Sequence, residues 1–351
     1  MKRLFFPIIA ILAGILLSIF LMEGFLRVMN LDYGNAPLES DSILHHRHPR
    51  NYTFLVHTPN EEYGGHHVHY DSEGLVSGTH ISGEKISKPK YKIAVMGDSF
   101  VEATQVLYEK SFTGIIEQFC AGTCEVKNFG VSSYSPILYL LQWNTIVKFF
   151  KPTHVFLLLF SNDVRNDNEY QSKAILLNHE IVAVPGPGNK EWQRLLRKSY
   201  FLRLFRKVEL KLTWIIQNRN MQNVVKSGDY LEESPEIEPF TEKMLLYLVQ
   251  EIKQSNAKFI LMAVPSKYKT IHKDSHDLKS EFSETIKLWA EKHGINFLDL
   301  VPAFQESKEP LFFEKDIHFN ENGHRIIFET IKESFPELFS PDLKKLADIE
   351  G

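Results

Sequence analysis

The chain has 351 residues, of which 43% are hydrophobic and 24% charged, with a formal net charge of −4. That composition is globular, excludes a disordered or strongly basic nucleic-acid-binding protein, and is long enough for one large domain carrying an insertion.

Lys2 and Arg3 precede LFFPIIAILAGILLSIFLM, which is uncharged from Leu4 to Met22. As a helix this run spans roughly 28 Å, about one hydrocarbon core. It ends in Phe20-Leu21-Met22-Glu23 with no A-x-A pattern, so residues 1–30 read as an uncleaved signal anchor. A cleaved signal peptide and a buried helix are the alternatives. The two leading cations favour a cytoplasmic N-terminus and an exported remainder, against which Arg27 counts slightly.

Residues 31–90 are irregular and rich in His, Gly and Pro, with short strands such as HHVHYDSEGL. They read as a membrane-proximal segment. HHRH (45–48) and HHVH (66–69) lack the Cys or acidic spacing of a metal site and read as exposed or strand-packed histidines. From Lys92 onward, short apolar runs alternate with amphipathic stretches. The runs are KIAVM (92–96), EVKNFG (125–130), THVFLLLF (153–160), KFILMAVP (258–265) and INFLDL (295–300). The stretches between them lie at 110–120, 136–149, 240–256, 279–293 and 321–334. Fully apolar strands separated by helices predict a doubly wound parallel sheet covered on both faces, a three-layer α/β/α core over 91–340.

Two cysteines, Cys120 and Cys124, close the first helical stretch. Their spacing allows a disulfide or two buried thiols, and it is not that of a redox C-x-x-C pair. The alternation breaks once, over 164–239, which reads as a mostly helical insertion beside the active edge. Its basic amphipathic stretch, EWQRLLRKSYFLRLFRKVELKLTWIIQNR, suits a cap touching substrate or membrane surface, or a helix pair with a solvated basic face.

In such a sheet, ligands bind beyond the carboxyl ends of the strands. Ser99 follows the first strand in GDSF, Gly130 the second in NFGVSS, and Asn162 the third in FSNDVRND. Asp316 and His318 come late, in EKDIHFNENGH. These types, in that order, suit acyl chemistry. His318 can take the proton of Ser99, and Asp316 can hold the imidazole in one tautomer. The N–H groups of Ser99 and Gly130 and the amide of Asn162 can meet an oxyanion. Glycine at 130 is expected because a side chain there would crowd the reacting carbonyl.

Ser99, Gly130, Asn162 and His318, each in its block from about Lys92 to Ile331, resemble the SGNH (GDSL-type) hydrolase superfamily. The resemblance implies a flavodoxin-like fold, ester or acyl chemistry and no metal or other cofactor. The G-x-S-x-G elbow of α/β-hydrolases is absent, because Val101 stands at its last glycine. YDSEGL followed by GDSF also resembles membrane-anchored, exported bacterial members, which implies an inner-membrane protein with a periplasmic catalytic domain. Many members carry D-x-x-H where this chain has Asp316-Ile317-His318; the shorter spacing resembles an exported polysaccharide O-acetyltransferase branch. Glu314 is the alternative carboxylate. The expected function is an esterase acting on acyl esters of envelope carbohydrate or lipid. An O-acetyltransferase using the same site and a silent glycan- or partner-binding module are the alternatives.

Overall fold

The computed structural model describes residues 2–29, 38–57, 62–78, 89–120, 123–188, 195, 198–221, 236–267, 270 and 282–339. Short strands β1 (Glu39–Ser40) and β2 (His46–Arg47) pair with each other. A seven-stranded sheet follows, built from β3 (Tyr52–His57), β4 (Gly64–Tyr70), β5 (Val76–Ser77), β6 (Tyr91–Gly97), β7 (Cys124–Asn128), β8 (His154–Leu159) and β11 (Lys258–Ala263). Its order is β11-β8-β6-β7-β5-β4-β3. A small separate hairpin is made by β9 (Ile175–Leu177) and β10 (Glu180–Ala183).

The four strands β11, β8, β6 and β7 are mutually parallel; β6, β8 and β11 are nearly continuous apolar runs, as burial on both faces demands, while β7 alternates. Alternate residues sort to opposite faces. Ala94 and Met96 of β6 pack with Val155 and Leu157 of β8 on one side, while Ile93 and Val95 pack with Phe156 and Leu158 on the other. The first face is covered by α4 (Pro136–Gln142, prolonged by a π turn through Val147), α7 (Pro239–Gln254) and α8 (Phe282–Lys292). The second is covered by α3 (Phe112–Phe119), α9 (Val301–Glu306) and α10 (Glu321–Ser334). Other helices are α1 (Lys2–Val28), α2 (Ser99–Glu102), α5 (Asn162–Gln171) and α6 (Tyr200–Met221).

The sheet is mixed. β5 joins β7 antiparallel, and β4 and β3 continue it, so the histidine-rich strands upstream of Lys92 form one edge of the same sheet. The predicted fifth parallel strand is reduced to one bridge, Leu261 to Phe297. The chain turns away there because the Asp299 carboxylate accepts from Val301 N–H, starting α9, and Pro302 has no N–H to extend a ladder. The interval 164–239 begins inside α5 and holds the β9–β10 hairpin as well as α6; residues 189–194, 196–197 and 222–235 of it lie outside the described residues. Cys120 and Cys124 are both free thiols and buried, with Cys124 Sγ donating to Leu338 O at 3.4 Å.

α1 is the one described helix long and apolar enough to cross a membrane, over Phe6–Val28. None of its most apolar window is buried against the rest of the chain.

Candidate active site

The GDSF turn has a steric cause at each position. A Cβ on Gly97 would lie 2.4 Å from Val101 Cγ2 and 2.9 Å from Leu158 O, so no larger residue fits where β6 bends into α2. Asp98 caps α2 by accepting Phe100 N–H at 2.9 Å, and Ser99 becomes its first residue. The helix lasts one turn, stopped by Ala103 in the left-handed region at φ 55°. Phe100, buried beneath, packs its ring against those of Phe160 and His318, both tilted, and edge-on against Phe319, at 4.6–4.8 Å between ring centres. That cluster joins the ends of β6 and β8 to the loop before α10.

The same loop brings His318 to Ser99, 219 positions away in sequence. His318 Nε2 lies 2.7 Å from Ser99 Oγ, and His318 Nδ1 lies 2.5 Å from Asp316 Oδ1. An ionised carboxylate only accepts, so Nδ1 carries the proton and Nε2 is left to accept from the serine hydroxyl. The short D-x-H spacing works because the Asp316 side chain folds back on its own loop: Oδ1 also accepts from His318 backbone N–H at 2.9 Å. Burial alone would push the Asp316 carboxyl up, but the hydrogen bond and charge of His318, with help from Tyr63, outweigh it and hold the pKa at about 2. Glu314 is exposed and offers its backbone carbonyl, not its carboxylate, to Lys267.

The three groups expected to meet an oxyanion are less uniform. Among the described residues Ser99 N–H has no acceptor, which leaves it available. Asn162 opens α5 just past the end of β8, and its Oδ1 is buried without a partner. Gly130 N–H is already engaged, donating to Asn128 Oδ1 at 2.8 Å while Asn128 Nδ2 holds Val101 O at 2.7 Å. The glycine itself answers to a different constraint from the one predicted. A Cβ at 130 would meet Glu102 N at 2.3 Å and Val101 C at 2.6 Å, so what excludes it is the α2 backbone.

Three partners of the loop carry no signal in the sequence. Tyr63 OH donates to Asp316 Oδ2 at 3.0 Å, and its ring lies 4.9 Å from that of Phe313. The Glu62 carboxylate accepts Lys315 N–H at 2.9 Å. Lys267 Nζ donates to the carbonyls of Glu314 and Asp316 at 2.8 and 3.0 Å. Tyr63 and Glu62 come from the chain just before β4, an irregular stretch where neither periodicity nor spacing marks a function.

A second polar network sits behind α2. Glu102 Oε1 accepts from His48 Nε2 and from Tyr70 OH, each at 3.0 Å, and Oε2 accepts Ser132 N–H at 2.8 Å. His48 Nδ1 reaches Gly74 O at 3.1 Å, and its ring stacks on Tyr70 at 4.1 Å. His46 Nε2 lies 2.8 Å from Ser132 O, and His66 Nε2 3.1 Å from Thr104 O. The histidine runs therefore fasten the N-terminal strands to α2 and to the loop carrying Gly130; no cluster able to hold a metal ion occurs among the described residues. His324 is buried in α10, where Asn320 caps the helix, and burial pushes its pKa down to about 3.

A family model described as the GDSL-like lipase/acylhydrolase family matches residues 95–326. The chain belongs to that family. This GDSL-like acylhydrolase is also similar to several solved structures. One is an alpha/beta hydrolase enzyme from the metagenome of Lake Arreo, Spain, at 16% identity and TM-score 0.43, covering 73% of this chain and 99% of that one. Another is an acetylxylan esterase from Geobacillus stearothermophilus, at 16% identity and TM-score 0.40, covering 70% and 94%. A third is a member of the lipolytic protein G-D-S-L family from Veillonella parvula, at 16% identity and TM-score 0.39, covering 70% and 98%. No curated protein matches the sequence. Family membership makes this chain a hydrolase acting on esters.

Proposed function

We propose that this acylhydrolase works through an acyl-serine intermediate, with Ser99 as nucleophile, His318 as base and Asp316 as the group that orients it. The observation that carries this reading is the unbroken contact chain Ser99 Oγ–His318 Nε2 at 2.7 Å and His318 Nδ1–Asp316 Oδ1 at 2.5 Å. Ser99 Oγ attacks the ester carbonyl carbon as its proton passes to His318 Nε2. The oxyanion is met by Ser99 N–H and the Asn162 amide, with Gly130 N–H as third donor once it shares its bond to Asn128. Each such donor is worth about 3 kcal/mol of barrier. Collapse breaks the bond to the alcohol oxygen, which departs with the proton from His318. Water then enters, gives its proton to His318 and displaces the acid, and the proton returns to Ser99. Tyr63 acts through Asp316 as a positioning residue, fixing the carboxylate oxygen that His318 does not use.

The substrate in this reading is an ester-linked acyl group of envelope carbohydrate or lipid. The chain is held in the inner membrane by residues 1–30 with its catalytic domain in the periplasm. The length, apolarity and exposure of α1, with Lys2 and Arg3 ahead of its apolar span, support that placement.

The test uses the full chain in detergent. It should release acid from short acyl esters, and a fluorophosphonate should label Ser99. Ser99→Ala should lower kcat by roughly 10⁶ with the fold retained. Equal rates for the wild type and Ser99→Ala on several esters would sink the proposal. Transfer of the acyl group to an added oligosaccharide in preference to water would move the reaction to acyl transfer.

A further inference from the structure

α1 and α6 meet at one place, the last turns of α1. Ser99 plays no part here; the residue that matters is Glu23, the first charge after the apolar run. Its carboxylate accepts Ser199 OH at 2.9 Å, Tyr200 N–H at 3.1 Å and Phe201 N–H at 2.8 Å. Ser199 in turn caps α6 by accepting Leu202 N–H at 3.2 Å. Arg27 pairs with Glu23, donates to Lys198 O at 2.6 Å and lies over the Tyr200 ring at 4.9 Å. A carboxylate at a helix N-terminus is favoured by the unpaired N–H groups and the helix dipole. The junction is therefore specific, and it sets the start of α6 at the end of the apolar run. α6 does not continue along α1: no residue from Phe6 to Met22 is buried, and most are well exposed.

α6 leaves that point as a 22-residue helix with an unpartnered apolar face. Phe205, Val208, Leu212 and Ile216 are between 49% and 64% exposed, with Ile215 beside them. At helical spacing they fall within an arc of about 120°. The sequence of α6 holds five basic residues against the single acid Glu209; Arg203 is buried, while Arg206 and Lys211 are exposed and Lys207 partly so. In water such a face would stay hydrated at a cost; its position at the end of a membrane-length helix supplies a solvent that removes it.

We propose that α6 is an interfacial helix: it lies in the headgroup layer of the outward-facing leaflet, apolar face in the acyl boundary and basic flanks on anionic lipid. This rests on the anchor reading of α1. The observations behind it are the Glu23 junction, which puts α6 at the depth where the span ends, the apolar stripe, and the basic excess. The consequence is that the catalytic body is tied to the bilayer at two points, a spanning helix and a surface helix about 33 Å long.

The experiment uses the full chain in vesicles of phosphatidylcholine and phosphatidylglycerol. An environment-sensitive fluorophore is placed on Leu16→Cys, Leu212→Cys or Thr213→Cys; the two native thiols are buried, so labelling goes to the new one. The proposal expects brominated lipid to quench the probes at 16 and 212 and aqueous iodide to quench the one at 213. It also expects that replacing phosphatidylglycerol with phosphatidylcholine weakens lipid quenching at 212 and leaves 16 unchanged. Quenching of 16 by lipid but of 212 by iodide overturns the surface helix while the anchor stands. A probe at 212 shielded from both quenchers means a protein surface covers the face, and this too overturns the proposal. Lipid quenching at 212 that ignores headgroup charge overturns the role of anionic lipid. Iodide access at 16 removes the anchor reading, and the surface helix falls with it.

Discussion

Asp316 shows how a single side chain meets two demands. Its Oδ1 serves both the imidazole and the backbone N–H of His318, and Oδ2 is held by Tyr63. Asp316→Asn should lower kcat by roughly 10⁴, because the amide no longer fixes the tautomer. The same carboxylate also sets a pH dependence of stability. Its folded pKa of about 2 lies below the ordinary value of 3.8, so its contribution is complete above the ordinary value and is lost as pH falls through about 2. The shift corresponds to about 2 kcal/mol. The stability gap between the wild type and Asp316→Asn, followed by urea unfolding, should be steady from pH 5 to 8 and narrow below pH 4. Tyr63→Phe removes one hydrogen bond to a charged group. It should cost roughly tenfold in kcat with KM unchanged. A Tyr63→Phe enzyme with unaltered kcat would show that His318 and the loop alone position Asp316. Ser99, His318 and Asp316, the proposed nucleophile, base and carboxylate, stand out in their sequence blocks because each chemistry needs a particular residue type. Tyr63, Glu62 and Lys267 could not be, since a hydroxyl, a carboxylate and an ammonium on irregular chain signal nothing until folding brings them to the loop.

Among the elements, β6, β8 and β11 were legible because burial on both faces leaves them almost wholly apolar, whereas β7 alternates, with Glu125 and Lys127 half-buried. The segment 295–300 looked equally apolar, yet Asp299 and Pro302 end its pairing at one bridge. β3, β4 and β5 were harder still. One face of β4 is wet and carries histidines, so its pattern does not reveal which sheet it joins. What holds this edge to the catalytic turn is the buried Glu102 network. His48 and Glu102 are 1% and 7% exposed, and removing one partner of such a pair costs about 3–5 kcal/mol. His48→Ala should therefore lower the urea midpoint by a corresponding amount, whereas an exposed pair such as Lys110–Glu321 should contribute little when broken. A His48→Ala protein as stable as the wild type would mean that the strands are held by apolar packing alone.

For the whole molecule, the anchor reading makes a statement about compartment. A phosphatase reporter that is active only outside the cytoplasm, fused after Gly351, should be active, and the protein should sediment with membranes. Reporter activity confined to the cytoplasm would reverse the orientation. Residue order alone was enough to specify the layered α/β class, the apolar N-terminal helix and the side chains proposed to react, because hydrophobic period and chemical type are local properties. Folding was needed to wrap the loop of Asp316 with Tyr63, to merge the upstream strands into the main sheet and to seat α6 on Glu23. Each of those depends on contacts between segments far apart along the chain, and no local pattern encodes which distant groups will meet.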